Sequence, residues 1–185
     1  MYDKAEIREK NKQLRKSMSL DETKRLSDIS SEIFLSSVFF KNASCIMLYM
    51  PLGNETDTSE IISRAFEEKK RVVFPITDNV SGVITPFYAD ENTLFEKGSF
   101  SVLEPRSNIA ADISEIDVVL VPGIAFDMSG SRVGFGKGCY DKLLKNTDAI
   151  KIGYCYSFQL CEKIKSDKYD VRMDYIITEN GIIKC

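Results

Sequence analysis

Apolar positions along the chain change period several times, and the changes mark its elements. Residues 3 to 18 set Ile7, Leu14 and Met18 at helical spacing among cations and glutamates, predicting an amphipathic helix with a thin apolar face. Ser19, with Glu22 three residues on, is a capping-box signal, and Leu26, Ile29, Ile33 and Phe34 keep helical spacing to about Ser37. The period then shortens. "ASCIMLYMP" reads as a buried strand, "GNETDTS" as a polar loop, and "SEIISRAFEEKK" as a helix that Asp57 or Thr58 can cap. "RVVFP" predicts a second strand ended by its proline, and "GVITPFY" a third whose Pro86 puts it at an edge or bulge. Residues 89 to 116 are irregular, with "EPRSN" as their best turn. "DVVLVP" is another core strand, followed by a glycine-rich loop and the helix "CYDKLLKN". "IKIGYCY" and "DYIIT" supply two more strands, with a helical turn or two in "FQLCEKI" between them. The alternation predicts the α/β class: a single layered domain over residues 1–185 with a mostly parallel open sheet flanked by helices.

Composition narrows the class further. With 185 residues, 43% hydrophobic and 29% charged, the chain suits one soluble domain with a substantial core. Its apolar runs are too short to cross a bilayer, and the charged N-terminus lacks the hydrophobic segment of a secretory signal. The five cysteines are odd in number and show no CxxC pairing, which suits reduced thiols in a cytoplasmic protein. A net charge of −3 argues against bulk nucleic-acid binding. There is no histidine. That absence removes Ser-His-Asp triads, Cys-His pairs and histidine zinc sites, and leaves carboxylates, hard oxygen ligands suited to magnesium.

Chemistry concentrates in "RVGFGKGCYD", directly after the strand "DVVLVPG". Gly134, Gly136 and Gly138 alternate before a helix, and Arg132 and Lys137 bring positive charge. Consecutive amides free of side chains accept a phosphate, so the loop reads as an anion or polyphosphate site. It is neither of two familiar cradles. A Walker loop would need glycine at Ser131 and a hydroxyl at Gly138, and a GxGxxG fingerprint would need glycine at Cys139. A tight strand-to-helix turn is the plainer alternative. Asp141 is either a first-turn carboxylate favoured by the helix or a magnesium ligand beside the phosphates.

Taken together, "PGIAFDMSGSRVGFGKGCYD" resembles the hallmark of the 5-formyltetrahydrofolate cyclo-ligase (methenyltetrahydrofolate synthetase) family, PG-x-x-F-D-x-x-G-x-R-x-G-x-G-x-G-x-Y-D, at every fixed position. "KAEIR", "YMPLGNETDT" and "YDVRMDYIITE" resemble the family's opening helix, its substrate-contacting glutamate loop and its closing segment. The resemblance implies a Rossmann-like open sheet of the cyclo-ligase type. It also implies ATP and 5-formyltetrahydrofolate as small-molecule substrates, a requirement for Mg2+, and no nucleic-acid or membrane partner; a monomer is compatible with it. By position, Lys4, Ala5, Glu6, Ile7 and Arg8 would contact ATP, as would Arg132, Val133, Gly134, Phe135, Gly136, Lys137, Gly138, Cys139 and Tyr140. Met50 and Glu55 would contact the folate, with Phe135 to Cys139 lining the same cavity, and Asp141 and Asp170 would hold the metal. The chain departs from the family at three positions. Cys139 stands where tyrosine is common, Phe135 where tyrosine or arginine is, and Tyr169 replaces a histidine before Asp170, which leaves Asp174 as an alternative ligand.

The implied reaction suits a chain without imidazole. Phosphorylating the formyl oxygen makes the carbon electrophilic, and the substrate's own N10 then closes the ring and expels phosphate. Positioning an intramolecular attack can supply roughly 7–11 kcal/mol, and phosphoryl transfer needs alignment and charge neutralisation rather than a protein nucleophile. Arg132 and Lys137 are the expected stabilisers of the transferred group, and Glu55 would orient the pterin. A Cys139 thiolate nucleophile is disfavoured, with no histidine base to serve it. Two other classes stay open: an isomerase or acyl-transfer enzyme using the loop for another anion, and a sensor that binds without turnover.

Overall fold

The computed structural model describes residues 3–185. Among them lie helices α1 (Lys4–Ser17), α2 (Leu20–Ser36), α3 (Val38–Asn42), α4 (Ser59–Glu67) and α5 (Cys139–Leu144). The strands are β1 (Cys45–Met47), β2 (Arg71–Thr77), β3 (Ile84–Ala89), β4 (Phe95–Lys97), β5 (Leu103–Pro105) and β6 (Val118–Val121). They continue with β7 (Ala125–Asp127), β8 (Arg132–Val133), β9 (Ile150–Tyr154), β10 (Leu160–Cys161), β11 (Tyr175–Thr178) and β12 (Gly181–Lys184). No helix among the described residues is long and apolar enough to cross a membrane.

Seven strands form the main sheet in the order β12-β11-β9-β6-β1-β2-β3. Its interior pairings are parallel. Both edges are antiparallel. The sheet is therefore mixed, which corrects the Rossmann-like expectation while keeping the parallel interior. The cause is the connections: β3 and β12 each follow their neighbour through a short turn, and a hairpin can only pair antiparallel. Alternate side chains of the interior strands enter opposite faces. Ile46, Leu48, Val118 and Leu120 join a core with Phe34, Phe40 and Ile61 under α2, α3 and α4. Cys45, Met47, Val119 and Val121 join the other core with Phe126, Leu143 and Leu144 near α5.

Some local expectations need correcting. In α1 the inward face is Ile7, Asn11 and Arg15, while Leu14 is exposed. In α2 it is Ser27, Ser30, Ser31 and Phe34, while Ile29 is 38% exposed. The serines suit burial because Ser27 and Ser31 each share a 3.1 Å hydrogen bond with a buried phenol, of Tyr156 and Tyr154. The second strand does not stop at its proline. Pro75 lies within β2 opposite Pro86 of the edge strand; its missing N–H falls on the β1 side, where the ladder ends at the bond from the Leu48 amide to the Val73 carbonyl, and the strand runs on through its pairing with β3. Residues 89–116 hold the β4–β5 hairpin. Ser19 accepts from the Glu22 amide at 3.1 Å, as its capping signal predicts. At α4, Asp57 accepts from the Ser59 amide, whereas Thr58 gives its hydroxyl to the Tyr49 carbonyl.

Candidate active site

After β6 the chain folds into a small sheet, β10-β7-β8, that aims the glycine loop. Phe126 is fully buried, and its ring occupies the space that side chains at two glycines would need. A Cβ on Gly123 would meet it at 2.5 Å and one on Gly153 at 2.6 Å. The next residue, Asp127, ties the β7–β8 turn. Its Oδ1 accepts from the Ser129 amide (2.9 Å), the Ser129 hydroxyl (2.7 Å) and the Ser131 amide (3.0 Å). Its Oδ2 accepts from the Ile164 amide at 2.8 Å. Gly130 lies in the same turn at φ +81°, its carbonyl accepting from the Met173 amide. The front half of the hallmark is thus a structural knot that delivers Arg132 and the loop after it.

Residues 134–138 connect β8 to α5, with Phe135, Gly136 and Lys137 exposed. Gly136 and Gly138 have φ of +108° and +65°. Among the described residues, no protein group accepts the amides of residues 135 to 138, so four successive N–H groups are free for an anion. Arg132 is buried, donating to the Pro122 carbonyl and to Asp141 at 3.2 Å each, with its guanidinium over the Tyr140 ring. Lys137 is exposed, its ammonium 4.1 Å from the centre of the Phe100 ring. The expected pair is therefore split between one locked cation and one solvent-facing cation.

Helix α1 lies across this region and contacts it with a polar stripe. Lys4 Nζ binds Asp170 at 2.6 Å and Asp167 at 2.9 Å. Arg8 Nε donates to the Gly134 carbonyl at 2.8 Å. Asn11 Nδ2 donates to the Ile124 carbonyl at 3.0 Å, and Arg15 Nη1 to Glu55 at 3.1 Å. One helix face thus reaches the 167–170 loop, the glycine loop, the turn after β6 and the glutamate loop. Of the expected run Lys4 to Arg8, only Lys4 and Arg8 do this, since Ala5 and Glu6 are exposed and Ile7 packs with Val133 in a minor core. Asn11 and Arg15 were not anticipated. Their signal was present, because they follow Lys4 and Arg8 at helical spacing.

The structure separates the two candidate metal-linked carboxylates. Asp170 meets Lys4, and the Val171 amide next to it donates to Asp141 Oδ1 at 3.1 Å, bringing that loop against α5. Asp174 instead accepts from the Lys151 amide, at the start of β9 and the opposite end of the parallel strands. Among the described residues no cluster of three or more acidic or cysteine side chains is built to hold an ion alone. Asp141 and Asp170, hard carboxylates near the free amides of the glycine loop, still fit magnesium, which takes one or two protein carboxylates and completes its shell with phosphate oxygens and water.

Glu55 is buried between Arg15 and the Leu52 amide, which donates to its Oε2 at 3.0 Å. Burial pushes its carboxyl up, and the charge of Arg15 opposes the shift. Tyr140 is close enough to feel both Glu55 and Arg132. Among the described residues its hydroxyl is buried with no hydrogen-bond partner, as is Arg132 Nε. Met50 packs against the α2–α4 core and Cys139 against the opposite one. Phe135 lies beneath Lys12 of α1.

A family model described as 5-formyltetrahydrofolate cyclo-ligase matches residues 1–179. The 5-formyltetrahydrofolate cyclo-ligase of Mus musculus is 24% identical, with 95% of this chain and 93% of that one covered. That of Mycolicibacterium smegmatis is 31% identical, with 75% of each covered. Among solved structures, the 5,10-methenyltetrahydrofolate synthetase of Aquifex aeolicus superposes with a TM-score of 0.87 at 31% identity, covering 98% of this chain and 92% of that one. That from Mycoplasma pneumoniae gives 0.79 at 26% identity, covering 96% and 99%.

Proposed function

Because this chain belongs to the 5-formyltetrahydrofolate cyclo-ligase family, we propose that it converts ATP and 5-formyltetrahydrofolate to 5,10-methenyltetrahydrofolate, ADP and phosphate. The observation that carries this reading is the row of four free amides at residues 135–138, beside Arg8, Arg132 and Lys137. The amides and Lys137 hold the triphosphate, while Arg132 braces Asp141 and the loop. Glu55 accepts N–H groups of the pterin. With the two substrates aligned, the formyl oxygen takes the γ-phosphoryl group. N10 attacks the activated carbon and loses its proton, and the former formyl oxygen leaves with phosphate. Asp141 and Asp170 would hold magnesium, which neutralises phosphate charge when bound.

The test follows methenyl-folate absorbance and ADP release together, with and without magnesium. Equimolar appearance of both products is expected. Binding of both substrates without product would leave a sensor, and methenyl-folate formation without ATP would discard the phosphorylation step. Lys137→Ala is expected to lower kcat/KM for ATP by about 10²-fold with little change in Tm, the scale of losing one charge-stabilising donor. Arg132→Ala should cost as much and also lower Tm, because it unpairs Asp141. Equal turnover in both variants and the parent would remove these roles.

A further inference from the structure

We propose that Arg15 is a positioning residue for the folate, holding the Glu55 carboxylate charged and aimed so that it accepts adjacent N–H groups of the reduced pterin. The proposal rests on the reading of Glu55 as a folate contact. The pair is well enclosed, with side chains 10% and 6% exposed. Arg15 Nη1 takes Oε1 at 3.1 Å and the Leu52 amide takes Oε2 at 3.0 Å. Each oxygen thus keeps acceptor capacity, giving two parallel acceptors for two neighbouring donors. The frame is braced: Asn54 donates to the Arg15 carbonyl at 2.9 Å, and the Tyr156 hydroxyl donates to the Glu55 carbonyl at 3.2 Å.

The surroundings make Arg15 necessary for charge as well as aim. Glu55 is faced by Arg15 from α1, and by the phenols of Tyr49 after β1, Tyr140 on α5 and Tyr156 after β9. Arg15 is the one cation acting on it among the described residues. Burial already raises the carboxyl, and without the guanidinium the carboxyl rises further. A protonated Glu55 presents a donor where the pterin also presents donors, so folate affinity then depends on pH. The charged form binds, so the loss is largest at low pH and is recovered as pH rises.

The experiment measures KM for 5-formyltetrahydrofolate and for ATP from about pH 6 to about pH 8.5, the neutral window of such switches. The parent should give a nearly flat folate KM. Arg15→Gln should give a folate KM that falls several-fold as pH rises across this window, with the ATP KM unmoved, and Arg15→Lys should restore the flat profile. A general loosening of α1 would move both KM values, because Lys4 and Arg8 lie on the same helix. If Glu55→Gln leaves the folate KM at the parent value, the Glu55 reading fails and takes the proposal with it. If Glu55→Gln raises it while Arg15→Gln keeps the parent profile, the proposal alone fails and Arg15 only supports the fold. Should Arg15→Gln not fold, the double variant Arg15→Met/Glu55→Gln has no buried charge to strand. It should match Glu55→Gln in folate KM, and a further tenfold loss would overturn action through Glu55.

Discussion

Alanine at Asp127 is expected to lower the unfolding free energy by on the order of 3–5 kcal/mol, among the largest losses from any single side chain here. The carboxylate is 1% exposed and accepts from Ser129, Ser131 and Ile164, so its removal strands buried amides in two segments at once. The effect also has a pH signature. Burial alone would raise this carboxyl, but the Ile164 amide and the donors of the turn hold it below the usual aspartate range. A lowered folded-state value contributes stability that is complete above the unfolded value and lost as pH falls through the folded one. Asp127→Asn removes that contribution. Urea unfolding should therefore show the gap between parent and Asp127→Asn narrowing in acid, below about pH 4. A gap unchanged between neutral and acid pH would mean that charge on Asp127 is not the anchor.

Gly130→Ala should be nearly as damaging, at about 2–5 kcal/mol, from left-handed strain and overpacking together. The φ of +81° disfavours any side chain, and the added Cβ would lie 2.3 Å from the backbone oxygen of Met173. Backbone cannot move aside as a side chain tip can. Because Met173 lies in the segment that carries Asp170, nucleotide affinity should fall along with Tm. Gly181→Ala is the control: its φ is +130°, but its Cβ would meet nothing within 4 Å. If thermal melts show the two variants equally stable, collision at Gly130 is not the controlling effect.

These two residues show what could be read before the fold was known. The hallmark drew attention to Asp127 and Gly130, yet spacing gave them no ligand role. Their purpose is to close a turn onto residues 164 and 173, and partners that distant in sequence leave no periodic trace. The strands were legible because short apolar runs flanked by turn residues have few other outcomes. Serines buried in α2 were not, since what makes them acceptable is phenols more than a hundred residues later. β12 was missed as well, because one half-exposed alternation in "GIIK" is too short to declare itself. Around the site, the glycines, Arg132 and Lys137 stand out by spacing and charge, whereas Lys4 and Arg8 are marked only by the family resemblance, since a cation pair one helical turn apart otherwise reads as a solvated face. Asp170 and Asp174 reach opposite ends of the sheet, a separation that their spacing of four residues does not reveal.

Helix α1 reaches its neighbours through ammonium, guanidinium and amide groups, with Ile7 as its main apolar insertion. The cover of the site is therefore fastened differently from the body beneath it. Electrolyte weakens half-exposed attachments such as Lys4 to Asp167 but leaves buried hydrocarbon almost untouched. Raising ionic strength should loosen the N-terminal turn first, speeding amide exchange there while the central strands keep their protection. Because one rod carries all four attachments, any shift in its seating is felt together by the 167–170 loop, the glycine loop, the turn after β6 and the glutamate loop.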